Sequence, residues 1–105
     1  MIDTETRNRA AEVIKQFQTA GWRLAIAESC TGGLISSTIT AETGSSAVLD
    51  TCIVAYANEA KEQLLNVPKQ TMVEHGSVSA EVARLMAGHV KNVVWSDVSL
   101  GVTGV

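Results

Sequence analysis

The segment that most constrains the fold is a short apolar stretch, Leu24–Ala27, that runs directly into the polar sequence Glu28–Gly33 and then into a helical pattern. A strand followed at once by a helix is the building unit of an α/β protein. We expect Gly32 and Gly33 in the first turn of this helix, where glycine is costly for stability but lets another group approach the backbone closely. The turn is therefore predicted to have a chemical role.

Three side chains of this turn can act as nucleophiles, namely Ser29, Cys30 and Thr31. The first amides of a helix are unpaired and lie at the positive end of the helix dipole. They can therefore hold either a phosphate or the oxyanion of a tetrahedral intermediate. An ordinary helix cap formed by Ser29 or Thr31 would explain the same residues without any chemistry. The turn alone does not distinguish these alternatives.

Composition argues against several classes of protein. The 105 residues, 46% of them hydrophobic, predict one globular domain. A net charge of −3 without a basic run argues against a nucleic-acid partner. The polar start of the chain is unlike a signal peptide, and no apolar run is long enough to cross a membrane, so we expect a cytoplasmic protein. The cysteines form no CxxC pair and the histidines no ligand cluster, so we expect neither a metal nor a cofactor.

Helical and strand patterns alternate along the rest of the chain, without a repeat or a linker. They predict helices at about 4–20, 32–40, 58–65 and from a Ser79 cap onward, and strands at 23–28, 48–56 and 98–105. This order predicts a three-layer α/β/α fold with a mainly parallel or mixed central sheet. One apolar stripe of the last helix is predicted to belong to the core: Val82, Leu85, Met86, Val90, Val93 and Val94.

The carboxyl ends of parallel strands meet at one edge of the sheet, which predicts that Ser29, Tyr56, Lys61 and Thr103 lie near one another. Asn58 is a good helix cap, which would make Lys61 the third residue of its helix. The helix dipole disfavours a cation there, so we expect the ammonium to lose its proton more easily. Such a lysine can act as general base for a serine, with a tyrosine to orient it. A solvated surface lysine is the alternative.

Six segments carry a family resemblance. In order and spacing they resemble the CinA carboxyl-terminal domain, over nearly the whole chain from residue 24. The segments are Glu28–Gly33, Gly44–Ser46, Tyr56–Lys61, Leu65–Val67, His75–Ser79 and Val102–Val105.

That family is known as a nicotinamide mononucleotide deamidase, which hydrolyses the carboxamide to nicotinic acid mononucleotide and ammonia. The resemblance implies that Ser29 is the nucleophile and that Lys61, with Tyr56, assists it. It also implies nicotinamide mononucleotide as the small-molecule substrate. The residues expected to bind the substrate are Thr31, Gly32, Gly33, Asn58 and Thr103.

The chain departs from the family pattern in the polar run Asp50–Cys52, and in Ala57 where a serine is common. The family also continues past the final Thr-Gly with a glycine-rich loop, a further strand segment and a helix. We therefore expect residues 1–105 to be a single domain that is incomplete at its carboxyl end, and an open strand edge there predicts a homo-oligomer.

Two other functions remain open at this stage. One is a catalytically inactive nucleotide- or protein-binding module related to the family. The other is a phosphate-binding enzyme that uses the Ser29 turn as an anion cradle, although the chain lacks the GxxxxGK[ST] sequence of a P-loop.

Overall fold

Five α-helices and three strands lie within residues 2–105, which are the residues that the computed structural model describes. A short 3-10 turn, Ser45–Ala47, precedes the second strand. The elements are α1 (Thr4–Ala20), β1 (Leu24–Glu28), α2 (Leu34–Thr40), β2 (Leu49–Val54), α3 (Asn58–Leu65), α4 (Lys69–His75), α5 (Ala80–Val93) and β3 (Val98–Val102). The predicted α1, α3 and Ser79-capped α5 are confirmed, with Ser79 accepting a hydrogen bond from the Val82 amide.

The three strands form one parallel sheet in the order β2-β1-β3. All five residues of the central strand β1 are buried. The pairing aligns Glu28, the last residue of β1, with Val54 of β2 on one side and with Val102 of β3 on the other. The predicted α/β fold is thus confirmed, and the three strands end level with one another at one edge.

Successive residues of β1 point to opposite faces of the sheet, and each face has its own apolar core. Ala25 and Ala27 lie in the core formed with α3, α4 and α5, which also contains Leu65, Met72, Val82, Met86 and Val90. Leu24 and Ile26 lie in the core formed with α1 and α2, which also contains Ala10, Ile14, Ile39 and Val48. These two cores give the predicted three layers.

The stripe predicted on α5 is only half buried. Val82, Met86 and Val90 are buried, whereas the exposed fractions of Leu85, Val93 and Val94 are 39%, 47% and 53%. The physical reason is that the buried residues recur every four positions and form one line against the sheet. Leu85 lies outside that line, and Val94 follows the end of the helix. The prediction that the whole stripe is core was therefore wrong.

Gly101 of β3 sets how closely α5 approaches the sheet. A methyl group built on Gly101 would collide with the Ala83 carbonyl and with Ala87, both in α5. Only glycine allows the helix backbone to come this near the strand. The close contact packs β3 against α5 just before the loop that follows Val102.

Candidate active site

The loops after the three strands begin side by side at one end of the sheet. Since Glu28, Val54 and Val102 are aligned across the sheet, the residues that follow them leave the sheet side by side. The Ala55 amide donates to the Glu28 carbonyl over 2.9 Å, which continues this alignment one step past β2. The predicted convergence of the strand ends is confirmed for the backbone.

The turn after β1 is closed by its own backbone. The Ser29 carbonyl accepts from the Gly32 amide over 3.0 Å, and the Ser29 residue is only 2% exposed. Gly32 and Gly33 have φ values of +63° and +100°, in the left-handed region that favours glycine. They therefore lie before α2, which begins at Leu34. The prediction that both glycines lie in the first turn of the helix was wrong, since their left-handed backbone delays its start.

A buried carboxylate, that of Glu28, occupies the amino end of α2. One oxygen accepts from the Thr31 hydroxyl over 2.6 Å and from the Ile35 amide over 2.9 Å. The other accepts from the Ser36 amide over 2.8 Å and from the Ser36 hydroxyl. Glu28 is fully buried. The side chain thus satisfies two amides that α2 cannot pair internally.

The electrostatics of Glu28 follow from these contacts. Burial raises the pKa of the carboxyl, but hydrogen bonds from Ser36 and Thr31 and from the Ile35 amide outweigh it and hold the pKa below its usual value. The group is therefore a carboxylate at neutral pH. The α2 amides that it occupies are not open to a phosphate or an oxyanion, which the sequence alone did not indicate.

Lys61 is buried at the same edge of the sheet. It is 4% exposed, and its Nζ atom donates to the Tyr56 carbonyl over 3.4 Å. Within residues 2–105, Lys61 has this hydrogen bond to Tyr56 and none to Ser29. Tyr56 itself is 73% exposed, so its carbonyl, rather than its phenol, contacts the lysine.

The start of α3 differs from the prediction. The cap residue is Ala57, whose backbone is extended, and Asn58 is already the first residue of the helix. Lys61 is consequently the fourth residue of α3, and its amide donates to the Ala57 carbonyl over 3.1 Å. The predicted Asn58 cap was wrong because the side chain of Asn58 has a different partner, Ser77.

Ser77 joins two of the residues predicted to bind substrate. Its hydroxyl donates to the Asn58 Oδ1 atom over 2.8 Å, and its carbonyl accepts from the Thr103 hydroxyl over 2.8 Å. The loop between α4 and α5 therefore forms a third side of the site. Sequence reasoning did not assign a role to Ser77, although it lies in one of the segments that carry the family resemblance, because no strand ends there.

Cys30 takes part in packing beside the nucleophile candidate. A methyl group built on Gly104 would lie 2.8 Å from the Cys30 Sγ atom. The turn after β1 and the loop after β3 are thus in contact. Ser29 is the most buried of the three nucleophile candidates, since Cys30 and Thr31 are each partly exposed.

The cavities of the described residues coincide only in part with the predicted site, since one of about 280 Å³ is lined in part by Asn58. A groove of about 440 Å³ separates α1 from α2 and is lined by Ile2, Asp3, Thr6, Arg9, Ala10, Val13, Leu34, Ile35, Thr38 and Ile39. It contains none of the predicted site residues. No helix in residues 2–105 is long and apolar enough to cross a membrane.

Comparison with known proteins identifies relatives of the chain. A model of the CinA C-terminal domain matches residues 6–105. A CinA-like protein of Geobacter sulfurreducens is 53% identical over 93 residues, which are 89% of this chain and 22% of that protein. A CinA-like protein of Citrifermentans bemidjiense is 48% identical over 101 residues, which are 96% of this chain and 24% of that protein. The chain thus spans less than a quarter of the length of these curated relatives.

Solved structures give the same result. The competence/damage inducible protein CihA from Agrobacterium tumefaciens superposes with a TM-score of 0.90 and 34% identity, over 94% of this chain and 60% of that chain. The competence damage-inducible protein A of Klebsiella pneumoniae gives 0.88 and 33%, over 90% of this chain and 58% of that chain. With the family model covering all residues from 6 onward and this shared fold, the chain belongs to the CinA C-terminal domain family.

Proposed function

We propose that the chain carries the catalytic residues of a nicotinamide mononucleotide deamidase, with Ser29 as nucleophile and Lys61 as general base. The observation that supports this is the burial of both residues, at 2% and 4% exposure. Ser29 directly follows β1, and Lys61 lies in α3, which follows the neighbouring strand β2. Lysine is almost never fully buried in a protein unless it is paired. A role as general base for Ser29 would explain why Lys61 is buried.

The surroundings of Lys61 suit a base. Among residues 2–105 no carboxylate lies within ion-pair distance of its amine, whose hydrogen bond goes to the uncharged Tyr56 carbonyl. No ion pair therefore has to be broken when the amine takes up or gives away a proton. A general base must also come within about 3 Å of its proton, and such contacts often tighten only when substrate binds.

The proposed reaction has two stages. Lys61 takes the Ser29 hydroxyl proton while Ser29 Oγ attacks the carboxamide carbon, which forms a tetrahedral intermediate. The intermediate collapses, the C–N bond breaks, and the protonated lysine gives its proton to the leaving nitrogen, which departs as ammonia. Lys61 then takes a proton from water while the water oxygen attacks the acyl carbon. The bond to Ser29 Oγ breaks, Lys61 returns the proton to Ser29 Oγ, and nicotinic acid mononucleotide is released.

The oxyanion of that intermediate forms on the carbon bonded to Ser29, so its donors must lie beside this residue. Glu28 already holds the Ile35 and Ser36 amides. Since the Gly32 amide already donates to the Ser29 carbonyl, we propose that the oxyanion binds at the Thr31 amide of the turn. Asn58 and Thr103, which Ser77 joins, are proposed to contact the rest of the substrate.

The test is hydrolysis of nicotinamide mononucleotide, followed as equal amounts of ammonia and nicotinic acid mononucleotide. Ser29→Ala should abolish turnover because it removes the nucleophile. The matched control is Cys30→Ala at the next position, which should keep most of the activity. Turnover that survives in Ser29→Ala, or equal losses in both variants, would contradict the assignment. Saturable binding of the nucleotide without turnover would instead favour the catalytically inactive binding module.

A further inference from the structure

One buried charged group has no part in the proposed reaction. Glu28 precedes the nucleophile candidate Ser29 directly, is fully buried, and carries a negative charge at neutral pH. An unpaired charge in a protein interior is very costly unless hydrogen bonds compensate it. Among residues 2–105 the four hydrogen bonds to its carboxylate all come from the turn and from the first residues of α2.

The contacts of Glu28 connect the two ends of the turn at residues 29–33, which is called the nucleophile turn below. The carboxylate is fixed at the end of β1, and it binds Thr31 within the turn and Ile35 and Ser36 beyond it. The Glu28 side chain therefore connects the end of β1 to the start of α2, and the five residues from Ser29 to Gly33 form the turn between them. The two left-handed glycines of this turn would otherwise give its backbone unusual freedom.

We propose that Glu28 is a positioning residue, whose carboxylate holds the Ser29 turn in the geometry needed for attack on the substrate. This inference rests on the proposed function of Ser29 and adds a residue to it. Glu28 does not touch the substrate. It acts through the turn, because both of its oxygens are needed to bind backbone amides that are eight residues or fewer away.

The variant that tests this is Glu28→Gln, which keeps the size of the side chain. Each carboxylate oxygen accepts from one backbone amide, Ile35 on one oxygen and Ser36 on the other. In glutamine one of these oxygens becomes an NH2 donor, so one of the two amides faces another donor in either orientation. We expect kcat for nicotinamide mononucleotide to fall by about 100-fold with little change in KM, as for a misplaced reacting group.

The matched control is Asp50→Asn, the same chemical change at the other end of the sheet. Asp50 accepts from the Ser96 hydroxyl over 3.3 Å and pairs with Arg23 over 3.6 Å, far from the nucleophile turn. The Asp50→Asn substitution should lower the melting temperature but leave kcat unchanged. Both variants are assayed well below their melting temperatures, so that unfolding does not mimic a loss of kcat.

A second measurement does not depend on turnover. Hydrogen exchange followed by mass spectrometry should show faster exchange of residues 29–36 in Glu28→Gln and no change there in Asp50→Asn. Unchanged exchange in Glu28→Gln, wild-type kcat in that variant, or an equal loss of kcat in Asp50→Asn would overturn the positioning role.

Failure of the proposed function would be separately visible. If the wild-type protein does not hydrolyse nicotinamide mononucleotide, the deamidase proposal fails, and Ser29 is then probed by its rate of labelling with a fluorophosphonate. Slower labelling of Glu28→Gln than of wild type, with faster exchange of residues 29–36, would still support the positioning role. Equal labelling of the two proteins would overturn it.

Discussion

The two ends of β1 are stabilised by side chains of opposite charge. Arg23, just before the strand, donates to the carbonyls of Ser46, Ala47 and Leu49 over 3.1 to 3.3 Å. Glu28, the last residue of the strand, instead accepts from amides and hydroxyls at the start of α2. At the amino end of β1 a cation thus binds backbone carbonyls, and at its carboxyl end an anion binds backbone amides.

The two ends differ in burial and in the distance along the chain that they span. The Arg23 side chain is 39% exposed, and its hydrogen bonds reach residues 23 to 26 positions away. Glu28 is fully buried, and the hydrogen bonds of its side chain reach no further than eight positions. Exposed ion pairs contribute little to stability, whereas loss of a partner in a buried pair is costly. We infer that the amino end tolerates substitution and that the carboxyl end does not.

The largest expected effect is that of Lys61→Arg at the carboxyl end. Arginine cannot give up its proton in the relevant range, so the variant lacks a general base and turnover should fall by about 10²- to 10⁴-fold. Steady-state hydrolysis of nicotinamide mononucleotide measures this loss. The same type of exchange at the amino end, Arg23→Lys, keeps the charge and should leave turnover unchanged. Near-normal turnover of Lys61→Arg would mean that only a positive charge is needed there.

The next effect is a loss of stability in acid. The pKa of Glu28 is lower in the folded protein than its ordinary value of 4.5, so the unfolded chain takes up the proton first. The stabilisation is complete above that ordinary value. It is lost progressively as the pH falls below it and through the folded pKa.

Urea unfolding between pH 3 and pH 7 tests the direction of this dependence of stability on pH. The free energy of unfolding should fall more steeply in acid for wild type than for Glu28→Gln, which has no proton to take up at this position. Asp3, whose pKa Thr6 lowers by hydrogen bonding, contributes equally to both proteins and cancels in the difference. Parallel curves for the two proteins would contradict the assigned charge of Glu28.

A smaller effect is expected from Arg23→Gln at the amino end. The variant loses charged hydrogen bonds to carbonyls and the contact with Asp50, but the bonds to Ser46 and Ala47 are exposed, so water can replace them. We expect a loss of about 1 kcal/mol in the free energy of unfolding, which salt should diminish, and no change in kcat. A loss as large as that of Glu28→Gln would remove the contrast between the two ends.

The smallest effect is expected for Tyr56→Phe. The phenol is mostly exposed, and the contact with Lys61 is made by the backbone carbonyl, which the substitution leaves in place. Stability should change by less than about 0.5 kcal/mol, and turnover should decrease only slightly. A loss of turnover comparable to that of Lys61→Arg would show that the phenol itself takes part in proton transfer.

Much of the architecture was predictable from local patterns. The apolar strand β1, the Gly21 end of α1 and the Ser79 cap of α5 are each signalled by a few adjacent residues. These signals are local, and the alternation of helices and strands implied the parallel sheet. The strand ends that meet at Ser29 followed from that topology.

The details of the site were less predictable because they depend on contacts between distant segments. The Asn58 side chain was predicted to cap α3, but Ser77, 19 residues away, donates to it instead. The polar Asp50 of β2 is explained by its contacts with Arg23 and with the buried Ser96, 46 residues away. Glu28 was missed for a different reason, since an acidic residue at the end of a strand does not reveal which amides it will meet.

The short reach of the Glu28 contacts has a consequence for folding. Closing a loop costs more conformational entropy as the loop lengthens, and contacts between distant segments slow folding. The hydrogen bonds of the Glu28 side chain join residues three to eight positions apart. The Arg23 amide instead donates to Asp97, which is 74 residues away. The nucleophile turn can therefore take its shape while β1 and α2 are the only elements in place, and docking of β3 completes the sheet around a turn that already exists.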